Sequence, residues 1–187
     1  MVTTREVSAD DATTVTELVG ALLAELGGDV LAELDTQLVA DLLAMKERVY
    51  GFLACAKKCP VGIIMLSESA SFVAHGTYGI ITEIYVVPDQ RSSGVAMRLI
   101  EAAVGLGRAK GWSQLEVGAP RQPAWSRSPN SALYVKAGFA EIGPRLKFPL
   151  HVDSRAQGNA VGRPRSDPRR RHGLSRRIPD SSAARFA

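Results

Sequence analysis

The segment ITEIYVVPDQRSSGVAMRLIEAA, Ile81–Ala103, decides how the rest of the chain is read. It opens as a run of β-branched and aromatic residues, ITEIYVV, the composition of a buried strand. Pro88 breaks that run, and Val95, Leu99, Ile100, Ala103, Val104 and Leu106 then recur at helical spacing. The junction between them is small and polar. Helix N-termini leave backbone N–H groups unpaired and carry partial positive charge, so such a junction can hold an anion; it can equally be a plain turn. A Walker A loop is excluded, because Gly94 is not followed by the lysine and hydroxyl residue it needs, and a single glycine makes a poor dinucleotide fingerprint. What fits is R-x-x-G-x-A, Arg91–Ala96, with Gly94 removing the side chain that would most obstruct a phosphate.

Working outward, the body of the chain reads as mixed α and β. Residues 2–7 are a short strand. Ser8 is an N-cap with Asp10 and Asp11 in the first turn, and Val15, Leu18, Leu22 and Leu26 form a helix face that Gly27-Gly28 ends. A second helical pattern places Leu31, Leu34, Leu38, Leu42 and Met45 on one face. VYGFLACA and VGIIMLSES are strands joined at KKCP into a hairpin, SASFVAHGT is a loop, and YGIITEIYVV is a strand. The helix from Val95 ends near Lys110-Gly111. WSQLEVGA is a further strand, Ser128-Pro129 opens a short helix NSALYVKA that stops at Gly138, and FAEIGPRLKFPL closes with strand-like pieces.

The 187 residues suffice for one domain with a real core. Hydrophobic residues at 45% and charged residues at 22% fit a soluble protein, and no apolar run approaches the roughly 20 residues of a membrane span. MVTTREVSADD has no apolar secretory core, which makes the cytoplasm the expected location. Cys55 and Cys59 have neither a second pair nor a nearby histidine, so no metal site is expected. Residues 1–150 hold 14 Lys+Arg against 16 Asp+Glu, whereas residues 151–187 hold nine Arg against three Asp. The net charge of +4 therefore belongs to the tail, and the slightly acidic body argues against a nucleic-acid face on the fold. The tail, rich in Arg, Pro, Ser and Gly without apolar periodicity, is expected to be disordered. The division is thus a domain over 1–149 and a tail over 150–187.

Taken together, ITEIYVVPDQRSSGVAMRLIEAA, LEVGA and NSALYVKAGFAEIG resemble the signature of the GNAT family of N-acetyltransferases: a strand, Q/R-x-x-G-x-G/A, a helix, then a strand and a helix with Asn and Tyr ahead of Gly-Phe. The resemblance covers roughly residues 2–149 and is strongest over 78–143. It implies an α/β fold in which the fourth and fifth strands of a mixed sheet splay into a V-shaped slot for acetyl-CoA. The backbone amides of Arg91, Ser92, Ser93, Gly94, Val95 and Ala96 would hold the pyrophosphate. The main chain of Tyr85, Val86 and Val87 would pair with the pantetheine arm, and the Val86 N–H would polarise the thioester carbonyl. Asn130 would contact the cofactor. Ser92 and Ser93 replace the basic residue often found in this loop, which leaves the cradle to its backbone amides.

Acyl transfer to an amine asks for a group to take the amine proton and another to protonate the departing thiolate. Tyr134 matches the tyrosine that serves as general acid in many family members, and its competing role is packing on the sheet. Glu83 interrupts an apolar run, and a carboxylate there must be paired or face a cavity. Alternation puts it on one face with Ile81, Tyr85 and Val87, where it is the candidate base; a structural role competes with that. The expected activity is direct acetyl transfer from acetyl-CoA to a primary amine, a small molecule being favoured over a protein or peptide N-terminus. A non-catalytic acyl-CoA-binding module is the alternative from another class. An amine acceptor is the expected partner, without membrane or nucleic acid, and a homodimer is compatible with the resemblance.

Overall fold

A computed structural model describes residues 1–26, 34–118 and 129–143. These fall in one compact unit, Met1–Arg145, and the arginine-rich tail lies outside the described residues. In chain order the elements are β1 (Val2–Glu6), α1 (Ala12–Glu25), α2 (Thr36–Leu43), β2 (Val49–Ala56), β3 (Cys59–Ser71), β4 (Gly76–Val86), α3 (Val95–Lys110), β5 (Leu115–Val117) and α4 (Pro129–Lys136). The strands form one sheet in the order β1-β2-β3-β4-β5, antiparallel as far as β4. β5 pairs with β4 in parallel after the α3 crossover.

Two hairpins build the antiparallel part. Lys57 and Lys58, at φ 49° and 71°, make the two-residue turn between Ala56 and Cys59, a backbone twist that matches strand twist. Cys59 and Pro60 thus belong to β3 rather than to the turn. The second hairpin is longer than expected: pairing continues to Ser71↔Gly76, so only Phe72–His75 of the anticipated loop is a turn. The turn closes with His75 N–H on Phe72 O and Val73 N–H on Ser71 Oγ. β5 is shorter than expected, because the Trp112 N–H caps α3 by bonding Gly107 O. Residues 139–143 form no regular strand, and 144–150 lie outside the described residues.

The sheet is covered on both faces. On one, Val95, Leu99, Ile100 and Ala103 of α3 pack with Ile64, Leu66, Ile81 and Val86, joined by Tyr134 of α4. On the other, Val15, Leu18 and Val19 of α1 and Val39 and Leu43 of α2 pack with Leu53, Ile63, Met65 and Tyr85. The expected face of α1 holds at Val15, Leu18 and Leu22 and fails only at its end, whereas that of α2 differs in phase. Leu26 is the C-cap of α1 and 70% exposed, since the helix ends one residue earlier. In α2, Leu38 and Leu42 are exposed, as is Met45 beyond its end, because Asp35 caps the helix by accepting from Gln37 N–H and the short helix turns Val39 and Leu43 inward.

β4 carries an irregularity that bears on the site. Its register to β3 runs Met65↔Glu83 and then Leu66↔Ile81, so Thr82 is an extra residue, a β-bulge. Alternation is broken there. Glu83 and Tyr85 lie on the α1/α2 face with Met65 and Ile63, whereas Ile81 is buried on the α3 face with Leu66. The expectation that Ile81 shares a face with Glu83 is therefore corrected; a strict period of two does not survive an inserted residue.

The first turn of α1 is held by charge. Ser8 caps a 3-10 turn, Ala9–Asp11, that precedes the α-helix. Ser8 N–H and its hydroxyl donate to Asp11 Oδ2, and Arg5 grips both Asp11 oxygens at 2.8 and 2.6 Å. Asp11 is buried, and Arg5, then Ser8, hold its carboxyl well below the usual carboxylate range.

Candidate active site

The turn between β4 and α3 is built from Val87 onward. A 3-10 turn, Pro88–Gln90, follows the strand; Gln90 N–H bonds Val87 O and Arg91 N–H bonds Pro88 O. Ser93 Oγ donates to Gln90 O at 2.5 Å. Ser92 has φ 60° and Gly94 φ 84°, both left-handed, and α3 starts at Val95. The result is a run of amides, Ser92 to Ala96, with no acceptor among the described residues at the positive end of a 16-residue helix. Arg91's amide, by contrast, is already bonded. A β-carbon at Gly94 would meet no atom beyond the adjacent residues within 4 Å, so glycine answers here to backbone conformation and leaves open space above the amides.

Beside this cradle runs the β5-facing edge of β4. Pairing with β5 ends, among the described residues, at Ile81↔Val117. Val87 N–H bonds Val61 O in β3, so by strand alternation the Tyr85 main chain also faces β3 while the Val86 N–H and C=O face the other way. Val86 O accepts from Arg91 Nε at 3.0 Å, which leaves Val86 N–H as a donor on that edge. A carbonyl oxygen has two lone pairs, so one remains.

Arg91 does more than begin the turn. Its Nη2 bonds both oxygens of Glu25, at 2.6 and 2.7 Å, and its guanidinium lies 5.6 Å above the Tyr85 ring. Tyr85 Oη donates to the same carboxylate at 3.1 Å. Arg91, then Tyr85, lower the Glu25 carboxyl; burial, then Glu25, raise the Tyr85 phenol; Glu25 raises the Arg91 guanidinium.

Tyr134 is 5% exposed within the α3-side core, edge-on to Phe139 with ring centroids 5.4 Å apart. Burial pushes its phenol up to about 12, so at neutral pH it holds its proton. The backbone of α4 that carries it ends at Gly138, φ 95°, with Phe139 N–H returning to Tyr134 O. Glu83 is half-buried on the α1/α2 face, and its carboxylate has no hydrogen bond or ion pair among the described residues. Tyr134 and Val86 share one cluster, whereas Glu83 stands on the opposite face of β4. Asn130 lies in α4, and its side chain is outside the described residues.

Glu25 is the participant that sequence reasoning missed. A signal existed: at Val15, Leu18 and Leu22 the helical stripe calls for its next member at position 25, where a carboxylate stands instead of an apolar residue. Among the described residues no cluster of three His, Cys, Asp or Glu side chains could hold a metal, and no helix is long and apolar enough to cross a membrane.

Known proteins place this arrangement. The structure is similar to a ribosomal-protein-alanine N-acetyltransferase from Brucella melitensis biovar Abortus 2308, with 22% identity over 81% of this chain and 100% of that one, at a TM-score of 0.64. It is similar to an aminoglycoside acetyltransferase from an uncultured soil metagenomic sample, with 15% identity over 81% and 97% and a TM-score of 0.67. A GCN5-related N-acetyltransferase from Ralstonia eutropha JMP134 gives 19% identity over 80% and 99%, with a TM-score of 0.65. No curated protein matches the chain significantly. At such identities the likeness shows the fold alone, but the profile of the Acetyltransferase (GNAT) family matches residues 17–139, most of the chain. The chain belongs to the GNAT acetyltransferase family.

Proposed function

We propose that this acetyltransferase takes the acetyl group of acetyl-CoA and transfers it to a primary amine, in a ternary complex and without an acyl-enzyme. One observation carries the reading: the unpaired amides of Ser92–Ala96 adjoin the edge of β4 where Val86 N–H is directed away from β3. A pyrophosphate fits the first feature, because successive amides at a helix N-terminus suit an anion and the space above Gly94 is clear. A thioester arm lying along the second would have its carbonyl beside a fixed donor. The slot would open where β4 leaves β5 beyond Ile81, with the bulge at Thr82 adding local twist.

When bound, acetyl-CoA supplies an activated thioester; the chain supplies position and protons. Glu83, directly or through a water, takes the proton of the amine, whose nitrogen then bonds the acetyl carbon. Val86 N–H holds the oxyanion that develops on the carbonyl oxygen. As the carbon–sulfur bond breaks, Tyr134 gives its proton to the departing thiolate. The two proton-handling groups stand on opposite faces of β4, which suits an amine arriving from the α1/α2 face and a thiolate leaving toward α3 and α4. Neither Cys55, buried in β2, nor Cys59, at the hairpin, is part of this constellation. The acceptor proposed is a small primary amine, in keeping with the slightly acidic body of the chain.

The test is CoA release from acetyl-CoA against polyamines, aminoglycosides, amino acids and alanine-led peptides, with products identified by mass spectrometry. Glu83→Gln and Tyr134→Phe should each lower kcat; unaltered turnover in both would sink the assigned roles. Saturable acetyl-CoA binding with no turnover on any amine or peptide would replace the enzyme by a binding module.

A further inference from the structure

The roles assigned above use the amides of the R-x-x-G-x-A turn but leave the Arg91 side chain without one. A lone arginine beside a phosphate cradle would ordinarily be taken as a phosphate ligand. Its surroundings point elsewhere. Nε is committed to Val86 O and Nη2 to both oxygens of Glu25, and one face of the guanidinium covers the Tyr85 ring. Tyr85 Oη closes the ring of contacts on Glu25. Three separate parts of the chain meet there: the last residue of α1, the end of β4 and the turn before α3. In the proposed slot, α1 is on the acceptor side, and the turn and the β4 edge are on the cofactor side.

We propose that Arg91 is a positioning residue, a strut that fixes the Val86 edge and the cofactor turn against the acceptor-side end of α1, and not a side-chain ligand of the pyrophosphate. The inference rests on the acetyl-CoA reading of the site. Its physical basis is the number of directions in which the guanidinium is held. A planar fork bonded to a carboxylate on one side and a carbonyl on another loses little further freedom, and it transmits a displacement of α1 to Val86. The same fork, were it reserved for phosphate, would have to leave all these partners.

The two roles predict opposite signs for one substitution. In Glu25→Gln a phosphate-binding arginine is released from its competitor, so CoA binds more tightly. A strut loses an end, so CoA binds more weakly and the acceptor KM rises with it. Arg91→Met keeps the stem and removes the fork. The experiment measures CoA affinity by calorimetry and steady-state kinetics with the amine that scores highest in the acceptor panel. It covers wild type, Glu25→Gln, Arg91→Met and the double variant. The pair is half-exposed at both ends, so the expected weakening is modest, roughly two- to fivefold in CoA Kd and in acceptor KM for each single variant. The double variant should be no worse than the poorer single one, because both remove the same contact.

Tighter CoA binding in Glu25→Gln would overturn the strut. So would additive losses, or a loss of CoA affinity in Arg91→Met with acceptor KM unchanged. Should wild type bind no CoA at all, the acetyl-CoA reading falls, and urea unfolding of the same four proteins still tests the strut: non-additive losses support it and additive ones refute it.

Discussion

Gly94→Ala separates two reasons for a glycine at the head of α3. Gly94 has φ 84° and ψ 3°, a left-handed conformation in which a β-carbon costs about 1–2 kcal/mol. No atom beyond the adjacent residues lies within 4 Å of where that carbon would stand, so overpacking adds nothing. Alanine also narrows the unfolded ensemble relative to glycine, which offsets about 0.4–1 kcal/mol. The net expected loss is about 0.5–1.5 kcal/mol, or about 2–5 °C in Tm for a domain of this size. The same clear space is where the pyrophosphate is proposed to approach the amides, and the methyl group would intrude on it. CoA affinity should therefore fall by about tenfold or more, about 1.4 kcal/mol beyond any stability effect. Urea unfolding at neutral pH gives the first quantity, and calorimetric titration with CoA gives the second. A stability loss in the stated range with CoA Kd changed by less than about twofold would refute the cradle. An unchanged midpoint of unfolding would refute the conformational argument.

Tyr134→Phe should lower kcat by about a hundredfold, the lower end for a general acid, with CoA affinity nearly unchanged. Because burial raises the Tyr134 phenol to about 12, its contribution to stability is full below the unfolded value near pH 10 and is lost as pH rises toward 12; urea midpoints across that window should drop in wild type and less in the variant. In Gly62→Ala the new carbon would stand 2.9 Å from Tyr85 O and 3.3 Å from Leu99 Cδ1 and Val86 Cγ2. It should cost about 1–3 kcal/mol in unfolding experiments and reduce kcat by shifting the Val86 edge, and full activity would show that this edge is not where the thioester lies. Asp11→Asn should cost about 2 kcal/mol, since it removes the charge that Arg5 and Ser8 address. Asp11 has a depressed folded-state pKa, so its contribution is present above the unfolded value near pH 4 and fades as pH falls below it; the gap between wild type and variant should narrow steadily below pH 4 while part of it persists at pH 2.

Much of the fold was legible in the sequence, and what was not has identifiable causes. The strands of the two hairpins announced themselves as apolar, β-branched runs, and α3 by its spacing and its glycine stop, which the structure closes with Gly111 at φ 71°. The helix α1 was legible in existence and, as far as Leu22, in phase; α2 was legible in existence but not in phase. Both are rich in leucine, so more than one stripe of apolar residues satisfies a period of 3.6. In α2 the stripe Leu38, Leu42 and Met45 competes with Val39 and Leu43, and the sheet, not the helix, selects between them. A cap at Asp35 helps to choose, yet its effect on phase is visible only once the neighbours are known. The unbonded amides of the turn before α3 could be expected from residue types, that of Arg91 excepted, because they depend on local backbone. The Glu25–Arg91 pair could not, since its partners lie far apart in sequence and only the fold brings them together.

The bulge at Thr82 is the sharpest case of the same limit, and it bears directly on the chemistry. In ITEIYVV nearly every residue is apolar or β-branched, so the run carries no phase of its own, and a period of two can be laid over it from either end. Starting from Ile81 puts Glu83 on the α3 face; starting from Val86 puts it on the α1/α2 face. The register to β3 shows that both starts are right on their own side of Thr82. The extra residue lets Ile81 be buried under α3 with Leu66 while Tyr85 is buried against α1 with Ile63. Without it, one of the two would have to give up its core position, a loss of about 1.5–3 kcal/mol for a side chain of this size. The insertion falls next to the last β4–β5 pair among the described residues, so the kink interrupts none of the β4–β5 pairs described. One residue thus does two things: it turns Glu83 toward α1 and α2 while leaving Val86 on the side of Tyr134, and it places that change at the mouth of the proposed slot.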